Sequence, residues 1–300
     1  MTAATVYLID ASPYVFRAFF SLPESIAAPD GRPMNAAYGF ASFLVKLAGE
    51  ESPTHLAVAF DESLTTSFRN DLYPAYKAQR EEPPAGLVAQ LPACRELAEA
   101  LGARCFVDPE ARYEADDLIA TLVAGLAADG HRAVVVTSDK DLAQLVGPAV
   151  ELWDYGRDER LGAAGVRERF GVEPAQIADY LGLRGDPVDN IPGVPGVGPK
   201  TAAALLAAFS DLDEIYSRLD EVPRLPVRGA EALAGRLAEH REQAMLSREL
   251  ATVARDAPGL RVGLEELAYE GADPALVDPL FERLGFGGIR DRIPRWKGSP

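Results

Sequence analysis

The stretch Ala133-Val134-Val135-Val136-Thr137-Ser138-Asp139-Lys140-Asp141 decides how the chain is read. A short apolar run rich in β-branched residues suits a strand buried on both faces of a parallel sheet, because a half-exposed strand would alternate with polar residues. Two more runs have the same character, Val6-Tyr7-Leu8-Ile9 and Leu56-Ala57-Val58-Ala59-Phe60. Helical spacing of apolar residues covers Ala36 to Ala48, Gln90 to Leu101 and Asp116 to Ala128. Strands alternating with helices predict an α/β fold, a mostly parallel central sheet flanked by helices, over residues 1–170. Each strand is followed by an acid, Asp10, Asp61 and Asp139. One such acid is usually a turn residue or helix cap. Three of them point to a shared site, because sites in open α/β sheets form beyond the carboxyl ends of strands.

The 300 residues include 46 acidic and 30 basic side chains, a net charge of −16, and 48% are hydrophobic. At roughly 150 residues per domain, the length suggests two domains with a real core. Cys94 and Cys105 are too few for a disulfide framework and read as apolar fillers in a reducing compartment. MTAATVYLID carries no basic leader, and no stretch approaches the roughly 20 apolar residues of a membrane span. The expectation is a cytoplasmic protein with no membrane partner. Read naively, the acidic balance argues against nucleic acid.

The acids are not spread evenly. Tyr113-Glu114-Ala115-Asp116-Asp117 opens a helix, where the macrodipole favours one or two acids but three within four residues repel. Asp139 and Asp141 are two apart and share a direction in extended backbone. Asp186 and Asp189, in Gly185-Asp186-Pro187-Val188-Asp189-Asn190, are three apart and share a face in a helical turn. With Asp10 and Asp61 this makes nine carboxylates, and the whole chain has only three His. Oxygen-only ligation suits Mg²⁺ or Mn²⁺ and argues against zinc. Nine acids suit two or more ions, and the expected chemistry is two-metal phosphodiester hydrolysis. A glycosidase needs only two carboxylates and is the weaker reading.

Four residues beyond Asp189 begins Gly193-Val194-Pro195-Gly196-Val197-Gly198-Pro199-Lys200-Thr201-Ala202. Gly196 and Gly198 allow a tight turn that presents N–H groups, Pro199 suits a first helical turn, and Lys200 stands beside it. A glycine hairpin alone is often a structural turn. Directly after an acid pair it reads as a clamp on a phosphate backbone. The spacing is not that of a Walker A loop, because Pro199 separates Gly198 from Lys200. Short helices, Pro174 to Leu183 and Lys200 to Phe209, place this hairpin in a helical second domain, 171–255, followed by a weakly patterned extension, 256–300, whose last residues Arg295 to Pro300 are expected to fray. An insertion at about 67–92 breaks the sheet pattern and mixes Arg69, Lys77 and Arg80 with Phe68, Tyr73 and Tyr76. If helical, Lys77 and Arg80 share a face that a phosphate would meet, and Tyr76 is placed to stack on an unpaired base. Each is also an ordinary surface residue type.

Taken in order, LIDASPYVFRAF at 8–19, AFDE at 59–62, YEADD at 113–117, TSDKD at 137–141 and GDPVDNIPGVPGVGPKTA at 185–202 resemble the bacterial 5′-nuclease family. That family includes the 5′–3′ exonuclease domain of DNA polymerase I and is related more distantly to flap endonucleases. The resemblance implies a PIN-like nuclease core with a helical arch, the insertion, and a helix–three-turn–helix domain that grips duplex DNA. It further implies that Asp10, Asp61, Glu114, Asp116, Asp117, Asp139, Asp141, Asp186 and Asp189 bind metal. By the same matching, Lys77 and Arg80 meet the scissile phosphate and Asp116 and Asp139 are central to catalysis. Arg17, Arg69, Tyr76, Gly193, Gly196, Gly198, Lys200 and Thr201 fall at DNA-contacting positions, and a K⁺ ion is implied at the hairpin.

The implied activity is metal-dependent 5′–3′ exonuclease or 5′-flap endonuclease hydrolysis of DNA at flaps, nicks and junction duplexes, in repair or replication, by a monomer. RNA primers are a further substrate class. With 300 residues there is no room for polymerase motifs, so a stand-alone enzyme is expected. Two alternatives differ in class. A DNA-binding protein with an inactive nuclease site would have lost several acids, and a metal-dependent single-strand ribonuclease on a related core needs no glycine hairpin. The chain departs from the family pattern at Ala11, at Met34-Asn35, and at Glu81-Glu82, which make the arch less basic.

Overall fold

The computed structural model describes residues 3–63 and 65–298. They form two compact units that do not follow chain order: Met1–Leu64, Glu82–Ser138 and Arg255–Pro300 make the first, and Thr65–Glu81 with Asp139–Ala254 the second. The sequence modules 1–170, 171–255 and 256–300 therefore differ from the compact units. Residues from Asp139 to 170 group with the helical part, and those after 254 join the sheet unit.

In the first unit, β1 (Thr5–Asp10), β2 (Leu56–Ala59), β3 (Arg104–Phe106) and β4 (Arg132–Val136) lie in the order β3-β2-β1-β4 and are all parallel. Ile9 pairs with Val58 on one side and Val136 on the other, so the carboxyl ends of β1, β2 and β4 leave one edge together. Val6, Leu8, Ile9, Val58, Val135 and Val136 are buried, as the apolar runs demand. β3 was not predicted. It is three residues long and includes an exposed arginine, too little to show a period. Helices Ala11–Ser21, Asn35–Glu51, Leu91–Ala100 and Ala115–Ala128 belong to this unit. The first two approach closely at Gly39, where a Cβ would come within 2.5 Å of the Ala18 Cβ. Phe40 is wholly buried with its ring edge-on to Phe60, and its truncation to Ala would cost about 3–5 kcal/mol.

The extension is folded. Helix Pro274–Leu284 follows a segment tied to the sheet unit by Tyr269 N–H to Thr54 O (2.8 Å) and Asp273 N–H to Ala100 O (2.9 Å). Phe281 and Phe286 are buried. The expected fraying at Arg295 to Pro300 is corrected for the described part. Ala272 donates to Arg295 O (3.0 Å), Lys297 donates back to Ala272 O (2.8 Å), and Arg290 covers Trp296. Residues 299 and 300 lie outside the described residues.

The second unit pairs an antiparallel ribbon, β5 (Val150–Asp154) and β6 (Glu159–Leu161), with helices Ala163–Phe170, Ile177–Arg184, Pro199–Ala208, Leu212–Ser217, Ala230–Glu239 and Arg241–Ala251. The expected helix Pro174 to Leu183 begins as a 3₁₀ turn, Pro174–Gln176, before turning α-helical. The insertion is only partly helical. Ser67 caps a five-residue helix, Phe68–Leu72, and turns follow. Tyr73 is extended because Pro74 follows it, Lys77 has φ of +56°, and Pro83-Pro84 lack donors, so no continuous helix can run through. A second short helix, Ala85–Val88, lies in the first unit. Among the described residues no helix is long and apolar enough to cross a membrane.

Candidate metal and nucleic-acid sites

In the sheet unit, the acids are held by the turns that follow the strands. Asp10, at the end of β1, accepts from Ser12 N–H (3.3 Å) and from Thr137 Oγ1 (2.8 Å), the residue just after β4. Asp61, just beyond β2, accepts from Ser12 Oγ (2.6 Å) and from Ala115 N–H (2.8 Å). It thereby caps the helix Ala115–Ala128 from another element, at the positive end of its dipole. Asp117, fully buried in that helix's first turn, accepts from Glu114 N–H (3.1 Å), while Asp116 is half-buried. One residue therefore links two strand-end acids, Ser12, through its backbone N–H to Asp10 and its hydroxyl to Asp61. Sequence reasoning missed it and Thr137. The signal was there, since a Ser two residues after a strand-end Asp fits the local Asp-to-backbone cap.

In the helical unit, Asp139 accepts from Asp141 N–H (2.8 Å) and so starts a 3₁₀ turn, Asp141–Leu145. The two acids are not in one extended segment as expected, because this turn intervenes. Lys140 lies between them and bonds Asp186 Oδ2 (2.6 Å), with Asp141 Oδ1 at 3.5 Å. Asp186 is only 2% exposed and also accepts from Val188 N–H (3.0 Å). Asp186 and Asp189 do not share a helical face. The loop between them is a turn closed by reciprocal backbone bonds between Asp186 and Ile191 (2.9 and 2.8 Å).

Asp189 is where the basic insertion arrives. Arg80 pairs with its Oδ1, Tyr76 Oη lies 3.2 Å and Lys77 Nζ 4.0 Å from Oδ2, and Lys77 N–H donates to its carbonyl (3.0 Å). Gln79 and Asn190 tie the same two segments through Pro187 O (2.8 Å) and Ala75 O (2.6 Å). Three expectations are corrected here. Lys77 and Arg80 sit on turns rather than on one helical face. Tyr76 is 3% exposed, so its ring is packed inside and shows no face for a base. Arg69 is also 3% exposed and donates to the carbonyls of Leu250 (2.8 Å) and Thr252 (2.9 Å), a structural tie. Arg17 is exposed on helix Ala11–Ser21.

Burial raises the Asp139 carboxyl above the ordinary range. Burial and the neighbouring Asp139 raise Asp141 to about 8. Burial opposes the Lys140 cation, but Asp141 and Asp186 outweigh it and hold its pKa above the ordinary value. Asp141 Oδ1 is buried and makes no hydrogen bond, with only the Lys140 ammonium facing it at 3.5 Å. A buried carboxylate oxygen without a hydrogen bond, among acids that resist ionising, fits a cation, and the donors are all oxygen. Among the described residues no three His, Cys, Asp or Glu side chains converge as a ligand set. Lys140 and Arg80 pair with Asp186 and Asp189, and those pairs would have to open for the acids to ligate.

The hairpin is fixed from helix Arg241–Ala251. Ser247 Oγ accepts from Gly193 N–H (3.0 Å), and Gln243 Nε2 donates to Gly193 O (2.6 Å). A Cβ on Gly193 would fall 2.2 Å from Gly185 N, and its φ is +61°, so only glycine fits. Val197 N–H closes the turn on Val194 O (3.0 Å), and Gly198 caps Pro199–Ala208 with Pro199 at its first position. Thr201 N–H returns to Gly198 O (3.1 Å) and Lys200 is exposed. Sequence reading found these residues but not Gln243 and Ser247, which lie about 50 positions away.

A parallel sheet with acids beyond its strands, and a helical unit with a glycine hairpin, match a two-part family. Residues 5–171 fit the model of the 5′-3′ exonuclease N-terminal resolvase-like domain, and residues 172–275 that of the 5′-3′ exonuclease C-terminal SAM fold. The chain belongs to the 5′–3′ exonuclease family. DNA polymerase I of Bacillus caldotenax is 40% identical over 290 residues, 95% of this chain and 32% of that protein. The chain thus spans about a third of the length of the curated relatives it matches. Among solved structures, the T5 5′-exonuclease with bound divalent metal ions (zinc) aligns with TM-score 0.66 at 20% identity, covering 93% of this chain and 99% of that one. A bacteriophage T5 flap endonuclease in a complex with DNA and metal ions aligns with TM-score 0.66 at 21% identity, covering 94% and 99%. At these identities the likeness is one of fold.

Proposed function

We propose that this chain hydrolyses DNA phosphodiesters from 5′ ends and at 5′ flaps, nicks and junction duplexes, using divalent ions, Mg²⁺ or Mn²⁺, held by its carboxylates. The observation that carries this reading is the buried Asp139–Asp141 pair, with one carboxylate oxygen that makes no hydrogen bond, in a chain of this family. When bound, such ions supply an attacking water of lowered pKa and neutralise charge on the in-line transition state. Asp10, Asp61, Glu114, Asp116 and Asp117 from the sheet unit, and Asp139, Asp141, Asp186 and Asp189 from the helical unit, are the proposed holders. Asp116 and Asp139 are those whose loss matters most.

Lys77 and Arg80 already lie on a carboxylate oxygen pair, that of Asp189, and a phosphate presents oxygens of similar spacing. The scissile phosphate therefore competes with Asp189 for these two cations, and its arrival frees that acid to ligate. Gly193, Gly196, Gly198, Lys200 and Thr201 hold the backbone of the duplex without reading bases. The turn's carbonyls offer oxygen donors to a K⁺ ion. Arg17 is an exposed cation available to the same strand. Arg69 and Tyr76, buried as they are, support the insertion rather than touch the nucleic acid.

The test is cleavage of 5′-labelled flap, nicked and blunt duplexes, DNA and RNA-primed, in Mg²⁺, Mn²⁺ or EDTA. Short 5′ products from flaps in Mg²⁺, and none in EDTA, are expected. Cutting that persists in EDTA would refute the metal-dependent reading.

A further inference from the structure

We propose that Arg236 is a second cationic contact to the phosphodiester backbone at the glycine hairpin, alongside Lys200; this rests on the reading of the hairpin as a phosphate clamp. Arg236 lies in the last turn of helix Ala230–Glu239, within the same compact unit as the hairpin. Its guanidinium lies against the turn. A Cβ on Gly196 would stand 3.6 Å from Arg236 Nε and 3.8 Å from Cζ, and Gly196 itself is exposed with φ of +76°.

Arg236 Nε is buried and has no hydrogen-bond partner. Neither Arg236 nor Lys200 makes an ion pair or hydrogen bond through its side chain with any described residue. Arg80, Arg167, Arg218 and Arg248 of this unit reach carboxylates, and Arg184 and Arg241 lie over tyrosine rings, whereas the Arg236 guanidinium lies on a glycine turn. The helix C-terminal dipole favours a cation at this position. It does not require the side chain to lie on the hairpin, where burial of Nε costs desolvation. A planar fork with its remaining N–H donors beside a turn that presents backbone N–H groups suits an anion with several oxygens at fixed spacing, as in a phosphate.

The experiment measures binding of a fluorescent 5′-flap duplex in Ca²⁺ across a salt titration, with the unaltered protein, Arg236→Gln, Arg236→Lys and Lys200→Ala. Arg236→Gln is expected to weaken affinity about tenfold at moderate salt and to lower the slope of log K against log salt by about 0.9, one phosphate contact. Arg236→Lys should recover the slope. The inference is overturned if Arg236→Gln binds with unaltered affinity and slope. It is equally overturned if Arg236→Lys fails as badly as Arg236→Gln and both melt earlier, which would mark a purely structural residue. A Lys200→Ala effect with none from Arg236→Gln would sink Arg236 alone and leave the clamp standing. No binding by the unaltered protein would remove both.

Discussion

Two adjoining stretches of the helical unit treat charge in opposite ways. In the loop Asp186 to Asn190, Lys140 answers Asp186, and Arg80 and Lys77 answer Asp189. In the hairpin from Gly193 to Lys200, the internal bonds from Ser247 and Gln243 fix the backbone, while Lys200 is left open. A buried charge needs a partner, and a chain that supplies its own partner has made the site stable without ligand. Lys200 is solvated and needs no internal partner, which leaves it open to an incoming anion. The loop is therefore a place where an incoming cation competes with built-in ones. The hairpin is a place where an incoming anion meets no competitor.

The largest effect should come from the acids themselves. Asp139→Asn, or Asp116→Asn, is expected to slow single-turnover cleavage of a 5′ flap on the order of 10³-fold, about 4 kcal/mol of transition-state stabilisation. Binding of the same flap in Ca²⁺ should change by less than about threefold, because the hairpin does not use these groups. Full cleavage by either variant would break the assignment of the acids and the contrast between loop and hairpin.

Next comes Lys140. It stands 29% exposed against an Asp186 that is 2% exposed, so removing it strands a buried carboxylate. Lys140→Ala should lower unfolding stability by about 3 kcal/mol in EDTA, toward the low end for broken buried pairs because the amine is partly solvated. Mg²⁺ should restore more stability to this variant than to the unaltered protein, since the ion then takes over the lost charge. Denaturant midpoints with and without Mg²⁺ would show it. Equal Mg²⁺ gains in the two proteins would mean that Lys140 and the ion do not share a place.

The buried acid pair also predicts a pH trend. Asp141 in the folded chain sits at about 8, above the ordinary 3.8, because burial and Asp139 oppose its charge. A carboxyl raised on folding adds stability that is fully present below the unfolded value and is lost as pH rises through about 8. In EDTA the melting temperature should accordingly fall between about pH 4 and pH 8, and Asp141→Asn should flatten that fall. Mg²⁺ at pH 7 should bind with release of protons, seen by titration calorimetry in buffers of different ionisation heat. A flat profile in EDTA would mean that the pair is solvated in solution.

Much of this was legible in the sequence, for a physical reason in each case. Ala133 to Val136 could only be a buried strand, and acids beyond such strands are placed by the sheet itself. Gly193 and Gly196 were legible because positive φ leaves few other residues. What could not be read depended on distant contacts. Nothing near Tyr76 says that Asp189, 113 positions away, holds its hydroxyl and leaves the ring buried. The spacing of Lys77 and Arg80 suggested a helix, yet Pro74 and a left-handed Lys77 made turns. The extension hid its helix because Pro274 and Pro279 interrupt the apolar pattern, although the first is tolerated at a helix start.

The smallest effect tests the contrast most directly. Lys200 is an exposed cation without an internal partner, so its contact with a phosphate should release the counterion condensed on that phosphate. Lys200→Ala should lower the salt slope of flap binding by about 0.9 and leave the saturating cleavage rate alone. Lys77 is different, because its ammonium already faces Asp189 at 4.0 Å with a side chain only 12% exposed. A phosphate that takes Lys77 from Asp189 exchanges one anion for another and releases fewer salt ions. Lys77→Ala should then shift the slope by clearly less than Lys200→Ala while slowing the single-turnover rate. Equal slopes for the two variants would mean that Lys77 leaves Asp189 before DNA arrives, and the loop and hairpin would then differ in sequence but not in how they meet the backbone.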